Sequence, residues 1–293
     1  MKLTKKMMLL VSVLPLALAS CGKKESNERT IYTTFFPIYD RAKKVAGDKY
    51  DVKCLTPYGQ EPHDYEPTAK EIAGRTTSSA LLLNGLGLDK WSDSLPKELK
   101  EKSYVVTKDI TPKTLNGVTD PHVWLSVKNA RTELLNIKNT LVGIDGENKD
   151  YYEANYSKEL VRFQELDKKY TDQLSSVKNK YLVVSHAAFG YLASDYGLEQ
   201  IYIAGLEPDA APTAKKREEL IEKVKEYHVT TIFYEDAVSP DIAKKIAEEA
   251  KVKTDTLYTL ESIEESDEGK VDYVSLREDN LSKIVKACND DSI

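Results

Sequence analysis

Three of the four histidines in this chain of 293 residues occupy the same kind of junction. His63 lies between Glu61 and Asp64 in YGQEPHDYEP (58–67), after the apolar Val52, Cys54 and Leu55 and before a polar segment able to start a helix. His122 stands in TDPHVWL ahead of a helical pattern, and His186 follows the apolar run from Tyr181 to Ser185 and precedes AAFGYLA. Loops on a rigid scaffold carry sites, and in an open parallel sheet the carboxyl ends of the strands line the ligand crevice. A lone histidine in such a loop is ordinarily a hydrogen-bonded structural residue. Three in equivalent places point instead to a shared metal ion. Neutral imidazoles favour zinc and its first-row neighbours, and a trio needs one more donor to close a tetrahedron. By position Glu261, in TLYTLESI after the last strand, is a candidate, and Asp236, at the end of another strand, is as good. Glu261 also opens an acidic run (Glu264, Glu265, Asp267, Glu268) of the kind that forms a solvated face, so composition does not choose between them. Glu61, Asp64, Glu66, Asp120 and Asp236 are placed to orient the imidazoles from behind, although solvation is the simpler role for each taken singly. The fourth histidine, His228, ends the helical stripe Leu220, Val224, Tyr227, where an imidazolium meets the helix C-terminus; it reads as a capping or packing residue.

Other catalytic signatures are missing. Asn84-Gly85-Leu86-Gly87 follows a strand but lacks a third glycine at Lys90, so it reads as a turn and not a dinucleotide loop. No P-loop, GxSxG or HExxH occurs. The formal charge of −6 argues against binding a phosphate backbone, which needs clustered Lys and Arg.

The elements that must position these residues alternate. Strand-like runs at 30–35, 50–55, 80–83 and 104–107, with helical or loop segments between them, mark a parallel sheet covered by helices. Ser126 caps a helix with the stripe Ala130, Leu134, Ile137, Leu141. The alternation returns with strands at 181–185, 200–203, 230–234 and 253–257, a helix over 213–227, and another beginning at Pro240 behind Ser239 as N-cap. Between the two sets runs the longest periodic segment, from Asn148 to about Val177, without Gly or Pro. It predicts a long rigid helix joining two α/β lobes. The expected organisation is a signal peptide at 1–20, a tether at 21–29, an N-terminal lobe at 30–146, the linker helix at 147–178 and a C-terminal lobe at 179–293, each lobe with its own core.

The first 20 residues read as an export signal: lysines at 2, 5 and 6, an apolar run from Met7 to Ala19, then small residues. That run is too short to span a bilayer, which takes about 20 residues. Leu18-Ala19-Ser20-Cys21 resembles a bacterial lipobox, which makes Cys21 the expected site of diacylation and membrane anchoring. Of the other cysteines, Cys54 alternates like a buried strand residue. An exported location would allow a disulfide to Cys288, but nothing in the sequence brings the two together.

Taken in order, TTFFPIYD, GQEPHDYEP, NGLGLDKW, DPHVWLS, SHAAFGYLA, GLEPDAAPTA and TLESI resemble the zinc-binding receptor lipoproteins of bacterial ABC importers across essentially the whole mature chain. The resemblance implies two α/β lobes joined by a long helix, zinc held in the cleft by residues matching His63, His122, His186 and Glu261, delivery to a cognate ABC permease and its ATPase, and a monomer outside the cytoplasmic membrane. Manganese receptors of the same superfamily look alike but carry carboxylates at the positions of His186 and Glu261, with aspartate at the latter, so nitrogen and the longer acid here point to zinc. The segment Lys113 to Thr119 lacks the histidine-rich loop of many zinc relatives, and the extra C-terminal zinc domain of some is not expected. The rival readings are a manganese or iron receptor, a zinc hydrolase with an open coordination position, and a surface adhesin.

Overall fold

A computed structural model describes residues 29–208, 212–235 and 239–292. The export signal, Cys21 and Asp236 lie outside the described residues. The first half contains β1 (Thr30–Thr33), α1 (Phe36–Ala46), β2 (Asp51–Cys54), α2 (Ala69–Ala73), β3 (Ala80–Leu83), α3 (Lys97–Lys100), β4 (Ser103–Val105), the short strands β5 (Thr114–Leu115) and β6 (Val118–Thr119), and α4 (Val127–Ile144). The helix α5 (Lys149–Ser175) then leads to β7 (Tyr181–Val184), α6 (Gly190–Tyr196), β8 (Glu199–Tyr202), α7 (Ala214–Glu226), β9 (Thr231–Glu235), α8 (Asp241–Ala250), β10 (Lys253–Leu257) and α9 (Tyr273–Cys288).

Two four-stranded sheets result, ordered β2-β1-β3-β4 and β8-β7-β9-β10, and every pairing within them is parallel. Each sheet places its first strand between its second and third. The winding therefore reverses between β1 and β3, and again between β7 and β9, and such reversals open a crevice at the carboxyl ends of the strands. Thr33 and Leu83 end the strands flanking one crevice; Val184 and Glu235 end those flanking the other. All eight predicted strands appear, two of them with the expected bounds and the rest within two residues.

Several helix ends follow from capping side chains. Ser126 Oγ accepts from the amide of Asn129, and Thr213 Oγ1 accepts from that of Lys216. The predicted start at Pro240 is displaced: Pro240 is itself the N-cap, α8 begins at Asp241, and the Ser239 hydroxyl accepts from the Asp241 amide. A hairpin unanticipated from sequence joins β5 to β6 through Asn116 and Gly117, both at positive φ (53° and 81°), the conformation an Asn-Gly turn adopts without strain.

The α5 helix spans about 40 Å at 1.5 Å per residue. It is not a free rod. Its buried stripe, Tyr152, Phe163, Leu166, Tyr170 and Leu174, packs into a core that takes in α1 and α4 from the first half and β7 and α9 from the second. The expectation of two separate cores is thus corrected: the inner faces of both sheets share one continuous core, while the outer faces have their own clusters, around Leu81 and Leu99 in the first half and Ile232 and Ile246 in the second. The joint is tied by polar groups as well. The Tyr273 hydroxyl donates to the carbonyl of Trp124 (2.6 Å), and Arg277 donates to that of Leu125 (2.7 Å). Cys54 and Cys288 are free thiols, Cys288 buried in the core and Cys54 at the end of β2. Among the described residues, no helix is long and apolar enough to cross a membrane.

Candidate metal centre

The crevices of the two sheets face one another, and the three histidines meet there. His63 arrives on the loop after β2, His122 on the turn after the β5–β6 hairpin, His186 on the loop after β7, and Glu261 on the loop after β10. The Nε2 atoms of His63 and His122 are 3.1 Å apart, and those of His122 and His186 are 3.2 Å apart. Glu261 Oε1 lies 3.1 Å from His63 Nε2, 3.2 Å from His122 Nε2 and 4.0 Å from His186 Nε2. The side chains of His122, His186 and Glu261 are wholly buried, and that of His63 is 5 % exposed.

Each element aims its ligand by a local device. Asp120 and His122 form a closed unit in which Asp120 Oδ1 accepts from both the His122 amide (3.0 Å) and its Nδ1 (2.8 Å). The unit is fixed from outside by Asn84, which donates to the Pro121 carbonyl, and by Tyr191, whose hydroxyl donates to the Asp120 carbonyl. His186 Nδ1 donates to Glu235 Oε1 at 2.5 Å, and the same oxygen accepts from Ser185 at 2.6 Å. Leu260 holds a left-handed backbone (φ 61°), a strained state for a bulky residue, and turns the chain so that Glu261 points inward. Trp124 Nε1 donates to the Thr259 carbonyl (2.8 Å), and the Gly59 amide donates to Ser262 Oγ and the Ile263 carbonyl. The loops carrying His63 and His122 are thereby sewn to the loop carrying Glu261.

The chemistry follows from the tautomers. A neutral imidazole that donates from Nδ1 to a carboxylate keeps a bare lone pair on Nε2. The Nε2 lone pairs of His122 and His186 therefore face each other at 3.2 Å with a carboxylate oxygen beside them. Such a set repels itself unless a proton or a cation sits in its middle. Zinc bonds of about 2.0–2.1 Å in a tetrahedron require donor–donor edges of about 3.3 Å. Four of the five measured edges are 3.1 or 3.2 Å, so the set matches a small tetrahedral cation with little rearrangement.

The model of the family described as zinc-uptake complex component A, periplasmic (ZnuA), matches residues 31–287. The chain belongs to this family. It is 35% identical over 298 residues to the zinc-binding lipoprotein AdcA of Streptococcus pneumoniae, covering 94% of this chain and 60% of AdcA, so the chain spans about three-fifths of that relative. It is 34% identical to the high-affinity zinc uptake system protein ZnuA of Bacillus subtilis, covering 92% of this chain and 93% of that protein. Among solved structures, the Zn(II)-bound ZnuA-like domain of Streptococcus pneumoniae AdcA superposes with a TM-score of 0.79 at 37% identity, covering 90% of this chain and all of that domain. By this description members of the ZnuA family are the periplasmic component A of a zinc-uptake complex, and the two parallel sheets joined by a long helix are their fold.

Against the predicted residues of this ZnuA-family chain, the four ligand candidates converge and His228 does not. His228 sits at positive φ just past α7, where its carbonyl accepts from Asn179. Asp120 orients His122 as expected. Glu66 does not reach the imidazoles: it is exposed and lines a groove with Pro67, Ile72 and Trp91, because the chain turns away after His63 to start α2. Asp64 is exposed as well. Two participants were missed. Glu235, one residue before Asp236, holds His186; the sequence shows only an acid ending an apolar strand, and the contact itself needs β7 and β9 side by side. Glu207, in GLEPDAAPTA, brings Oε2 to 3.4 Å from His63 Nδ1, a contact between distant segments that no spacing encodes.

The electrostatics bind the set together. Burial opposes protonation of His63, but its hydrogen bond to Glu261 and the charges of Glu261 and Glu207 outweigh it and raise the pKa above 6.5. In His122 burial is likewise outweighed, by Asp120 and Glu261, and the pKa is raised. Burial pushes the Glu261 carboxyl up, yet the hydrogen bonds from His122 and His63 and the charge of His186 hold it well below 4.5.

Proposed function

We propose that this chain is an extracytoplasmic receptor that captures Zn2+ through His63 Nε2, His122 Nε2, His186 Nε2 and Glu261 Oε1 and passes it to an ABC permease powered by its ATPase. The observation that carries this reading is the convergence of three imidazole nitrogens and one carboxylate, with two imidazoles turned by carboxylates so that lone pairs point at a common centre. The names of the relatives support it from outside: each is called zinc-binding, zinc-bound or a zinc uptake protein. Zinc is the cargo, and the chain's task is reversible capture. Four protein donors close a tetrahedron and leave no position for a reactive water, so the set suits holding metal and not hydrolysis. On this reading the chain is not an enzyme, and nitrogen in three of four places favours zinc over manganese.

The same reading assigns residues 30–146 and 179–293 to the lobes either side of the linker helix at 147–178, and places Cys21 as the lipidated residue that keeps a monomeric receptor at the membrane. Elemental analysis of the purified protein, against His63→Ala, His122→Ala, His186→Ala and Glu261→Ala, tests the ligand set: one zinc per wild-type chain is expected, with loss in the variants. Growth in zinc-poor medium tests the transport role. A deletion strain that grows normally there overturns it, and a growth failure rescued by added zinc supports it.

A further inference from the structure

Beside the imidazoles lies a second group of potential donors. Carboxylate oxygens of Glu61, Glu235 and Glu261 all lie within 4.8 Å of one another. Glu61 comes from the first half, ahead of His63, whereas in the second Glu235 ends β9 and Glu261 follows β10. Glu235 is 2 % and Glu261 0 % exposed. Each uses one oxygen: Glu235 Oε1 accepts from Ser185 and His186, and Glu261 Oε1 faces His63 and His122. The other oxygen of each, Oε2, is buried without a hydrogen-bond partner. A buried carboxylate oxygen with nothing to satisfy it is costly.

We infer that Glu61, Glu235 and Glu261 form a second cation site, contiguous with the proposed zinc site and sharing Glu261 with it, that takes a hard divalent ion of the Ca2+ and Mn2+ class. The donor chemistry selects the class: an all-oxygen, anionic set suits hard ions, while the nitrogen-rich set beside it suits zinc. The size agrees, since oxygens up to 4.8 Å apart fit around an ion with bonds of about 2.3–2.6 Å. An ion there links the loop of Glu61 to the end of β9 and the loop after β10, across the crevice, beside the two buried oxygens that lack a partner. The site rests on the zinc reading only in that Glu261 serves both ions.

The full chain, loaded with one equivalent of Zn2+ and freed of excess, is titrated with Mn2+ while the paramagnetic resonance of free Mn2+ is followed. Wild type is expected to take up one Mn2+ below about 1 mM, the weak range of extracellular oxygen sites, with Zn2+ retained and Ca2+ displacing the Mn2+. In Glu61→Gln the Mn2+ affinity falls by at least about tenfold, since such sites are tuned by ligand charge. The same titration on zinc-free His63→Ala keeps the second site and lacks tight zinc binding, so uptake of Mn2+ there stands even where zinc capture fails. No Mn2+ uptake by the zinc-loaded wild type at 1 mM, or equal uptake by Glu61→Gln, overturns the inference.

Discussion

His122 and His186 form the back of the metal centre, and His63 forms its front; the three are held in different ways. Behind each of the two rear rings stands a buried carboxylate at hydrogen-bond distance, Asp120 at 2.8 Å and Glu235 at 2.5 Å. Behind His63, among the described residues, stands Glu207, at 3.4 Å and with 60 % of its side chain exposed. A buried charge-assisted hydrogen bond fixes ring and tautomer, whereas an exposed ion pair is screened by salt and holds a ring loosely. The back wall is therefore preorganised, and the front ligand rides on a loop whose anchor is the Gly59 contact to Ser262 and Ile263. A receptor that must both seize a cation and give it up needs one yielding donor, and this arrangement makes it His63.

The largest effects come from removing donors. His122→Ala or His186→Ala is expected to lower zinc affinity by more than the 10–100-fold typical of losing an outer partner, as read by competition with a chromophoric chelator. Both also take the ring partner from a buried carboxylate, which keeps only the His122 amide at Asp120 or the Ser185 hydroxyl at Glu235, so loss of folded protein accompanies loss of metal. His63→Ala abolishes tight binding with a smaller drop in thermal stability, because its partner Glu207 is already exposed to water. Equal destabilisation by all three variants breaks the contrast between back and front.

Protons compete with zinc for the same nitrogens. The pKa values of His63 and His122 are raised above 6.5, so their competition begins above that pH and steepens below it. Linkage has a definite sign in the metal-free protein. Groups whose folded pKa is raised contribute stability that is complete below about 6.5 and is lost as pH rises through the higher folded values. Zinc, which needs the unprotonated rings, stabilises most above that window. Metal-free protein is thus expected to gain melting temperature from these groups between pH 8 and pH 6, while the zinc-induced upward shift shrinks over the same interval. A zinc-induced shift that is the same at both pH values contradicts the assignment.

Losing an orienting carboxylate has a middling effect. Asp120→Asn and Glu235→Gln are each expected to weaken zinc by about 10–100-fold, with one zinc still bound at saturation. These two residues also measure how far the sequence was legible. The eight strands, the capped helices and the three histidines were readable because alternation, Ser and Thr caps and strand–loop–helix junctions are local. Asp120 was readable as a neighbour of His122 in the chain. Glu235 was not, since its contact with His186 exists only once β7 and β9 pair side by side. Separation into two cores failed for the same reason: α5 and α9 present apolar stripes whose partners lie in both halves, and periodicity tells which face is buried without telling against what. The choice of Glu261 over Asp236 depended on resemblance to the family, because an acid after a strand looks the same whether it turns inward or out. What settles its direction is the left-handed Leu260.

The smallest effect sharpens the contrast most directly. Glu207→Gln removes the only charge behind His63 Nδ1 among the described contacts, and that charge is largely exposed. Screening reduces such a pair to a minor contribution, and the Debye length is about 8 Å at physiological ionic strength and about 3 Å at 1 M. The expected loss of zinc affinity is less than about tenfold at low salt, below the range for a buried outer partner, and it vanishes in 1 M salt. The loss in Asp120→Asn persists there, because a buried pair is screened much less. Salt dependence thus separates the two walls by where their carboxylates sit, at the same metal and in the same experiment. A loss in Glu207→Gln that is as large as that in Asp120→Asn, and as indifferent to salt, makes His63 a ligand held like the others and removes the yielding front.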